Sequence, residues 1–209
     1  DDGTTYTMFK QGGAPMVEKL SQLFNYLNIK ESTPSNWGTA TIVNIFKEGD
    51  NADRTEPGDY RGIALISCLG KLYLSIWARR IARRAEGRLD NHQGGFRLRR
   101  STADQILTLW ETLRGRSEMG KPTFLFFIDF RKAFDTVWHD GLWHRLWESG
   151  IQSKPWRILR QLYRNVQARV RVGDRLTSPV RMQQGVRQGC PLSPVLFNLC
   201  GRVVPKVEE

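Results

Sequence analysis

An α+β fold is what this sequence predicts, and three observations predict it. Apolar stripes with the 3.6-residue period of a helix recur along the chain, as at Met16, Val17, Leu20, Leu23, Phe24 and Leu27. Between such stripes lie β-rich runs of strand length, residues 39–46 and 60–66, joined by a polar segment that reads as the tip of a hairpin. The third observation is Phe124-Leu125-Phe126-Phe127-Ile128, an unbroken apolar run leading straight into Asp129. A run this short and this aromatic predicts a strand buried on both faces. An ionised carboxylate at its end is costly unless something pairs with it. Asp129 therefore has two readings: a strand-end residue accepting from a neighbouring backbone N–H, or a metal ligand at the mouth of a sheet.

With 209 residues, 40% hydrophobic and 25% charged, the chain can bury a real core in one or two domains. Its charge is less ordinary. Lys and Arg number 32 against 21 Asp and Glu, a net +11. That surplus points to a polyanionic partner, most often nucleic acid, with an anionic membrane surface as the weaker option. Cys68, Cys190 and Cys200 are odd in number and form no Cys-x-x-Cys or Cys/His cluster, so they read as reduced packing residues. His92, His139 and His144 lack the spacing of a zinc site. No apolar run approaches the ~20 residues of a membrane span. No secretory signal opens the chain, which begins Asp1-Asp2-Gly3 as a fragment would. Nucleus or cytoplasm is the expected location.

Taken in order, the first helix follows Gly12-Gly13 with Pro15 in its first turn. A polar connector over 31–37 leads to the hairpin, whose tip runs from Gly49 to Asp59. The next helix carries Leu69, Leu72, Tyr73, Ile76, Trp77 and Ile81 on one face, with Lys71, Arg79, Arg80, Arg83, Arg84 and Arg88 on the remainder. Those cations read mainly as a solvated face, with some available to phosphates. A basic, Gly-containing loop spans 91–100, and Ser101 to Asp104 reads as a capping arrangement. The helix so started places Ala103, Ile106, Leu107, Trp110 and Leu113 on one face and ends between Gly115 and Pro122. Past Asp135 come helical patterns around Leu142–Trp147, stopped by Gly150, and from Ser153 through Tyr163. Residues 168–172 alternate as a half-exposed strand with arginines outward, Gly173-Asp174 turns the chain, and a return strand runs toward Met182. A polar loop, 183–194, precedes a short apolar helix from Val195 to Cys200.

A strand-end carboxylate, basic loops and net positive charge suit phosphoryl chemistry on nucleic acid. Nucleotidyl transfer uses two Mg²⁺ ions roughly 3.5–4 Å apart, held through carboxylates and substrate phosphates. Asp129 can supply one ligand, and Lys47 and Arg61 on the hairpin can neutralise a triphosphate. Gln188-Gly189 can admit a nucleotide close to the backbone, and Phe134 can lie against a sugar. Taken singly, each also has a structural reading: a loop cap, a core aromatic, a turn.

Four blocks in succession resemble the reverse transcriptase of non-LTR, LINE-like retrotransposons. They are Lys47-Glu48-Gly49-Asp50 with Tyr60-Arg61-Gly62-Ile63-Ala64-Leu65; the segment from Gln93 to Thr102; the segment from Phe127 to Asp135; and Gly185-Val186-Arg187-Gln188-Gly189-Cys190-Pro191-Leu192-Ser193-Pro194. The resemblance covers roughly residues 15 to 200 and implies a right-hand polymerase fold. It implies RNA-directed DNA synthesis with Mg²⁺ (Mn²⁺ as the alternative ion), an RNA template, a DNA primer and dNTPs, with no membrane partner and no assigned oligomeric state.

By the same resemblance Asp129 is the first catalytic, metal-binding Asp. Arg61 and Lys47 meet the incoming triphosphate, Phe134 crowds the 2′ position of the sugar, and Gln188 and Gly189 lie against nucleotide and template. Gln93, Gly95, Phe96, Arg97, Arg99 and Arg100 lie along the template. Asp135 takes no metal and is expected to bond at a helix start.

The family places its other catalytic carboxylates in an aromatic-x-Asp-Asp turn after the fourth block, and the adjacent Asp pair in this sequence is Asp1-Asp2 instead. Gly62 replaces a usual Pro and Gly94 a usual Ala. The expectation is thus a partial right hand: residues 1–14 an N-terminal extension, 15–120 fingers and the start of the palm, 121–200 an incomplete palm, 201–209 a divergent tail, and the thumb absent. Such a chain is expected to be inactive alone. The rival readings are a remnant RNA- or heteroduplex-binding module and a group II intron-type reverse transcriptase or maturase.

Overall fold

The computed structural model describes residues 3–49 and 52–200. The Asp1-Asp2 pair, Asp50 of the first block and the expected tail 201–209 lie outside the described residues. The mixed α and β content agrees with the expectation, and the order is α1 (Tyr6–Gln11), α2 (Gly13–Lys30), β1 (Thr39–Phe46), β2 (Tyr60–Leu65), α3 (Cys68–Ala85), α4 (Thr102–Glu118), α5 (His139–Glu148), α6 (Ser153–Arg164), β3 (Gln167–Val172), β4 (Arg175–Leu176), β5 (Val180–Arg181) and α7 (Ser193–Cys200). α1, which the sequence reading passes over, begins where the Thr5 hydroxyl accepts from Met8 N–H.

β1 is the hub of the sheet. It pairs antiparallel with β2, Thr41 opposite Leu65 through Phe46 opposite Tyr60, which is the expected hairpin. Its other edge pairs parallel with β3, Thr39 opposite Gln167. β3 then carries β4 and β5 antiparallel on its far side. Period-two alternation has its usual consequence in β3: Ala168 and Val170 are half-buried while Arg169 and Arg171 face solvent.

The core lies among the helices. Phe24 and Leu27 of α2 and Tyr73, Leu74, Trp77 and Ile81 of α3 meet Leu142 and Leu146 of α5, Ile158, Leu159 and Leu162 of α6, and Leu196 and Leu199 of α7. The α3 stripe is thus the core face its periodicity predicts. Two arginines at and just past the end of α3 are structural. Arg84 Nε donates to the Gly150 carbonyl at 3.0 Å and Arg88 Nη1 to the Glu148 carbonyl at 3.0 Å. Both satisfy carbonyls at the C-terminal end of α5, where cations are also favoured by the helix dipole. Arg79, Arg80 and Arg83 are exposed, Arg80 resting 5.6 Å from the Trp77 ring centroid.

One expectation is corrected. Residues 121–130 form neither strand nor helix, and Phe124, Phe126, Phe127 and Ile128 are 87, 92, 81 and 76% exposed. A strand buried on both faces needs a ladder partner on each edge and a layer above and below. Among the described residues β1 and β3 already occupy each other's edges, and no strand pairs with this run. The α4 stripe forms on one helix face as expected, and that face is exposed: Ile106, Leu107 and Trp110 are 67, 60 and 64% exposed. The helix itself is well started. Ser101 Oγ accepts from Asp104 N–H and Asp104 Oδ2 from Ser101 N–H, the expected capping box. Those bonds hold the Asp104 carboxyl below its usual range.

Burial therefore ranks the apolar positions. Leu159→Ala, at 0% exposure, should lower stability by about 2–5 kcal/mol in urea denaturation. Phe126→Ser should change it by no more than about 0.5 kcal/mol.

Candidate functional site

The fourth sequence block is a loop stitched to two other parts of the chain. Gly185 N–H donates to the Val137 carbonyl at 2.8 Å, and Val186 N–H to the Phe134 carbonyl at 2.7 Å. On the other side Ala64 N–H, from β2, donates to the Gln188 carbonyl at 2.8 Å. His139 Nε2 lies 2.8 Å from the Gly185 carbonyl; a carbonyl only accepts, so that nitrogen carries the proton. The close approaches need glycine. A Cβ on Gly185, at φ +88°, would stand 2.8 Å from the Asp135 carbonyl oxygen. One on Gly189, at φ +102°, would stand 3.0 Å from the Ala64 carbonyl oxygen.

Arg187 anchors this loop from within. It is 1% exposed, and its Nη1 donates to the Trp37 carbonyl at 2.8 Å. Its guanidinium sits 5.8 Å from the Tyr163 ring centroid. Arg187 Nε and Nη2, Tyr163 Oη and Ser193 Oγ find no hydrogen-bond partner among the described residues. Burial pushes the Tyr163 hydroxyl up to about 12, assisted by the Cys190 thiol and opposed by Arg187 and Ser193, which lie close without meeting hydrogen-bond geometry.

Of the expected nucleotide residues, Arg61 is exposed on β2. It shares a face with Ile63, whose Cγ2 lies 3.6 Å from the Cβ position of Gly189. Arg61, Gln188 and Gly189 thus belong to one locality. Phe134 joins it through its carbonyl, while its half-buried ring stacks on Phe197 (5.0 Å, 7° between planes) and takes the edge of Phe96 at 5.8 Å. Lys47 stands at the far end of the hairpin, its Nζ donating to the Gly58 carbonyl at 2.8 Å.

The expected template residues divide. Arg99 and Arg100 are exposed, and Phe96 is 58% exposed. Arg97 turns inward, its side chain 4% exposed. Its Nε and Nη2 donate to Glu86 Oε1 at 3.2 and 2.7 Å, and its Nη1 to the carbonyls of Asp90 and Gln93 at 2.6 and 3.1 Å. The local carboxylate and carbonyls claim all of its reach, so it holds the loop rather than extending from it. Gln93 Nε2 donates to Asn198 Oδ1 at 3.3 Å, and Asn198 Nδ2 to the Gly95 carbonyl at 2.9 Å. Asn198 and Arg187 escaped the sequence reading. A single amide within the apolar helix 195–200 was the signal for the first. The position between Gly185 and Gly189 was the signal for the second.

Asp129 is exposed, in the segment that forms no strand. Among the described residues no group of three or more His, Cys, Asp or Glu could hold a metal ion. The carboxylates present therefore do not by themselves fit a two-metal site. Asp135 bonds through its backbone, its N–H donating to the Lys132 carbonyl at 2.8 Å. Cys68, Cys190 and Cys200 are free, and burial pushes the Cys200 thiol up to about 11. No helix among the described residues is long and apolar enough to cross a membrane.

A strand carrying an exposed arginine, a glycine loop pinned beside it and a basic loop near by define a candidate polyphosphate and nucleic-acid surface. Comparison with known proteins is consistent with that. Residues 45–206 match the family model of the reverse transcriptase (RNA-dependent DNA polymerase). The chain is 32% identical over 186 residues to a probable RNA-directed DNA polymerase from transposon BS of Drosophila melanogaster, covering 86% of this chain and 20% of that protein. It is 27% identical to the corresponding protein of the X-element of the same organism, over 90% of this chain and 20% of that one. To the Pol polyprotein of the type-1 retrotransposable element R2 of Nasonia vitripennis it is 28% identical, over 94% of this chain and 18% of that one. The chain belongs to the reverse transcriptase family, of the kind found in LINE-like elements. It spans about a fifth of the length of these curated relatives.

Gly189→Ala forces an L side chain into a left-handed conformation against a backbone carbonyl, and should cost about 1–3 kcal/mol in the same urea assay. The alkaline limb of stability should report Tyr163. Its folded pKa lies above the unfolded value of 10.0. Its contribution is therefore complete below pH 10 and is lost as pH rises toward about 12. Tyr163→Phe should remove that part of the loss between those pH values and be nearly neutral at pH 7, since the hydroxyl it deletes makes no hydrogen bond among the described residues.

Proposed function

We propose that this chain supplies the nucleotide-facing and template-facing surface of an RNA-templated DNA polymerase from a LINE-like retroelement. Residues 15–120 serve as fingers and the start of the palm, and 121–200 as palm. The observation that carries the proposal is the tie between the fourth block and the hairpin: Ala64 N–H to the Gln188 carbonyl beside exposed Arg61, with Phe134 bonded to the same loop. Names of the matched relatives, RNA-directed DNA polymerases of mobile elements, support the same reading.

The reaction joins the 3′-hydroxyl of a DNA primer to the α-phosphate of a dNTP and releases pyrophosphate. Arg61 neutralises the triphosphate by charge-assisted hydrogen bonds, with Lys47 adding charge from the hairpin tip. Gln188 and Gly189 bring backbone against the nucleotide, since no side chain stands at 189 to prevent approach. Phe134, its ring fixed by Phe197 and Phe96, limits the space at the 2′ position and so favours deoxyribose. Arg99 and Arg100 contact template phosphates, Phe96 offers a ring to the template, and Arg97 holds the loop that presents them together with Gln93 and Gly95.

Asp129 contributes one carboxylate to a divalent-metal site, Mg²⁺ by family. Because the described carboxylates do not complete such a site, residues 1–209 by themselves bind template without extending a primer.

Incubated with primed RNA, dNTPs and Mg²⁺, the purified chain should give no extension product. Extension that Asp129→Ala abolishes would overturn the assignment of inactivity. Template RNA binding should weaken with salt, and the Arg99→Gln/Arg100→Gln pair should lower the salt slope by about one for each phosphate left without its arginine. Binding that is indifferent to both salt and this pair would remove the template assignment.

A further inference from the structure

On the α5–α6 face the chain has a groove of about 740 Å³, within the size range of ligand clefts. α5, α6 and the end of β5 form it, and none of its lining residues is among those assigned above to nucleotide or template. We infer that this groove binds an unpaired stretch of nucleic acid, with a base stacked on Trp138 and the adjoining phosphates held by Arg160, Arg164 and Arg181. The inference goes beyond the polymerase reading and stands on the groove itself.

Trp138 precedes the first residue of α5 and is 68% exposed. Its indole is seated nonetheless. It lies against Gly141, where a Cβ would come within 2.6 Å of Trp138 Cε3. A large aromatic held on a helix turn with most of its surface in water gains little for folding and is a ready stacking platform. A second ring stands in the same groove. Trp156 is fixed by its indole N–H, which donates to the Trp143 carbonyl at 2.9 Å, and it carries the Arg160 guanidinium 5.0 Å from its centroid.

The charges point the same way. Arg160 and Arg164 stand four residues apart on α6 and so project from one face. Arg181 enters from β5, its Nη2 donating to the Arg164 carbonyl at 3.2 Å. Among the described residues no carboxylate pairs with these three. Arg157, which also lines the groove, is already held by Glu31 at 2.6 and 2.7 Å. The acidic side chain in the lining is Asp140, which leaves the groove cationic. Aromatic faces interleaved with guanidinium groups suit a strand whose bases are unstacked; a duplex keeps its bases out of reach of Trp138. The groove also touches the fourth block, since His139 lines it and bonds the Gly185 carbonyl.

The test is fluorescence anisotropy of the 209-residue chain with short labelled oligouridylate, oligothymidylate and a duplex of the same length. Trp138→Ala should weaken single-strand binding about tenfold, Trp138→Phe should recover most of it, and Arg160→Gln/Arg164→Gln should weaken it and reduce its salt dependence. Equal effects on the RNA and DNA oligomers show a surface that takes either strand; an effect confined to one names the strand. Unchanged thermal melting of these variants checks that the fold is intact. Photocrosslinking from a central thiouridine should recover peptides carrying Trp138 or Trp156. Wild-type single-strand affinity in both groove variants, with crosslinks confined to residues 93–100, would overturn the groove and leave the template assignment standing. Loss in the groove variants with none in Arg99→Gln/Arg100→Gln would do the reverse. A groove that an acidic peptide fills while oligouridylate and oligothymidylate do not compete would also overturn the inference.

Discussion

A buried guanidinium without a carboxylate partner among the described residues is the constraint on which this end of the fold depends. Arg187 sits at 1% exposure, and among the described residues its side chain has one direct hydrogen bond, to the carbonyl of Trp37. Burying a charge this way is unfavourable unless the surroundings compensate, and here the Tyr163 ring face and the Trp37 carbonyl do so. Both partners belong to core elements, so Arg187 cannot shift without disturbing them. The loop around it is consequently fixed at three other points: Phe134, Val137 and Ala64. The placement of Gln188 and Gly189 thus follows from the interior, while Gly189 itself and Arg61 are exposed.

Local rules carried the sequence reading a long way. The hairpin of β1 and β2, the stripe of α3 and the capping box of α4 depend on neighbours within a few residues, and each formed as its pattern requires. What failed depended on distant partners. Phe124 to Ile128 has the composition of a central strand, but a strand exists only where other strands complete its ladder. The α4 stripe formed as spaced, but spacing says nothing of what lies opposite. α1 is too short and too weakly patterned to be seen in advance.

Of the candidate site, Arg61, Phe134, Gln188 and Gly189 lie in three of the four blocks seen in order in the sequence, and backbone bonds bring those blocks together. The inward turn of Arg97 was not legible in the sequence. Its partners, Glu86 and the carbonyls of Asp90 and Gln93, are set by how the 86–97 segment folds back, and an arginine's type does not reveal whether its fork is already filled. The buried amide of Asn198, which links α7 to the basic loop through Gln93 and Gly95, shows the same principle. Polar residues inside apolar runs are worth reading as connectors.

The uncovered stretch from Phe124 to Ile128 has a consequence for the behaviour of the chain. Short aromatic segments without charge seed intermolecular β-pairing when they meet their own kind. This one is bounded by Lys121 and Pro122 on one side and by Asp129, Arg131 and Lys132 on the other. Proline cannot extend a pairing ladder, and stacked cations repel in register. The flanks thus act as brakes on self-association, set around an exposed apolar run.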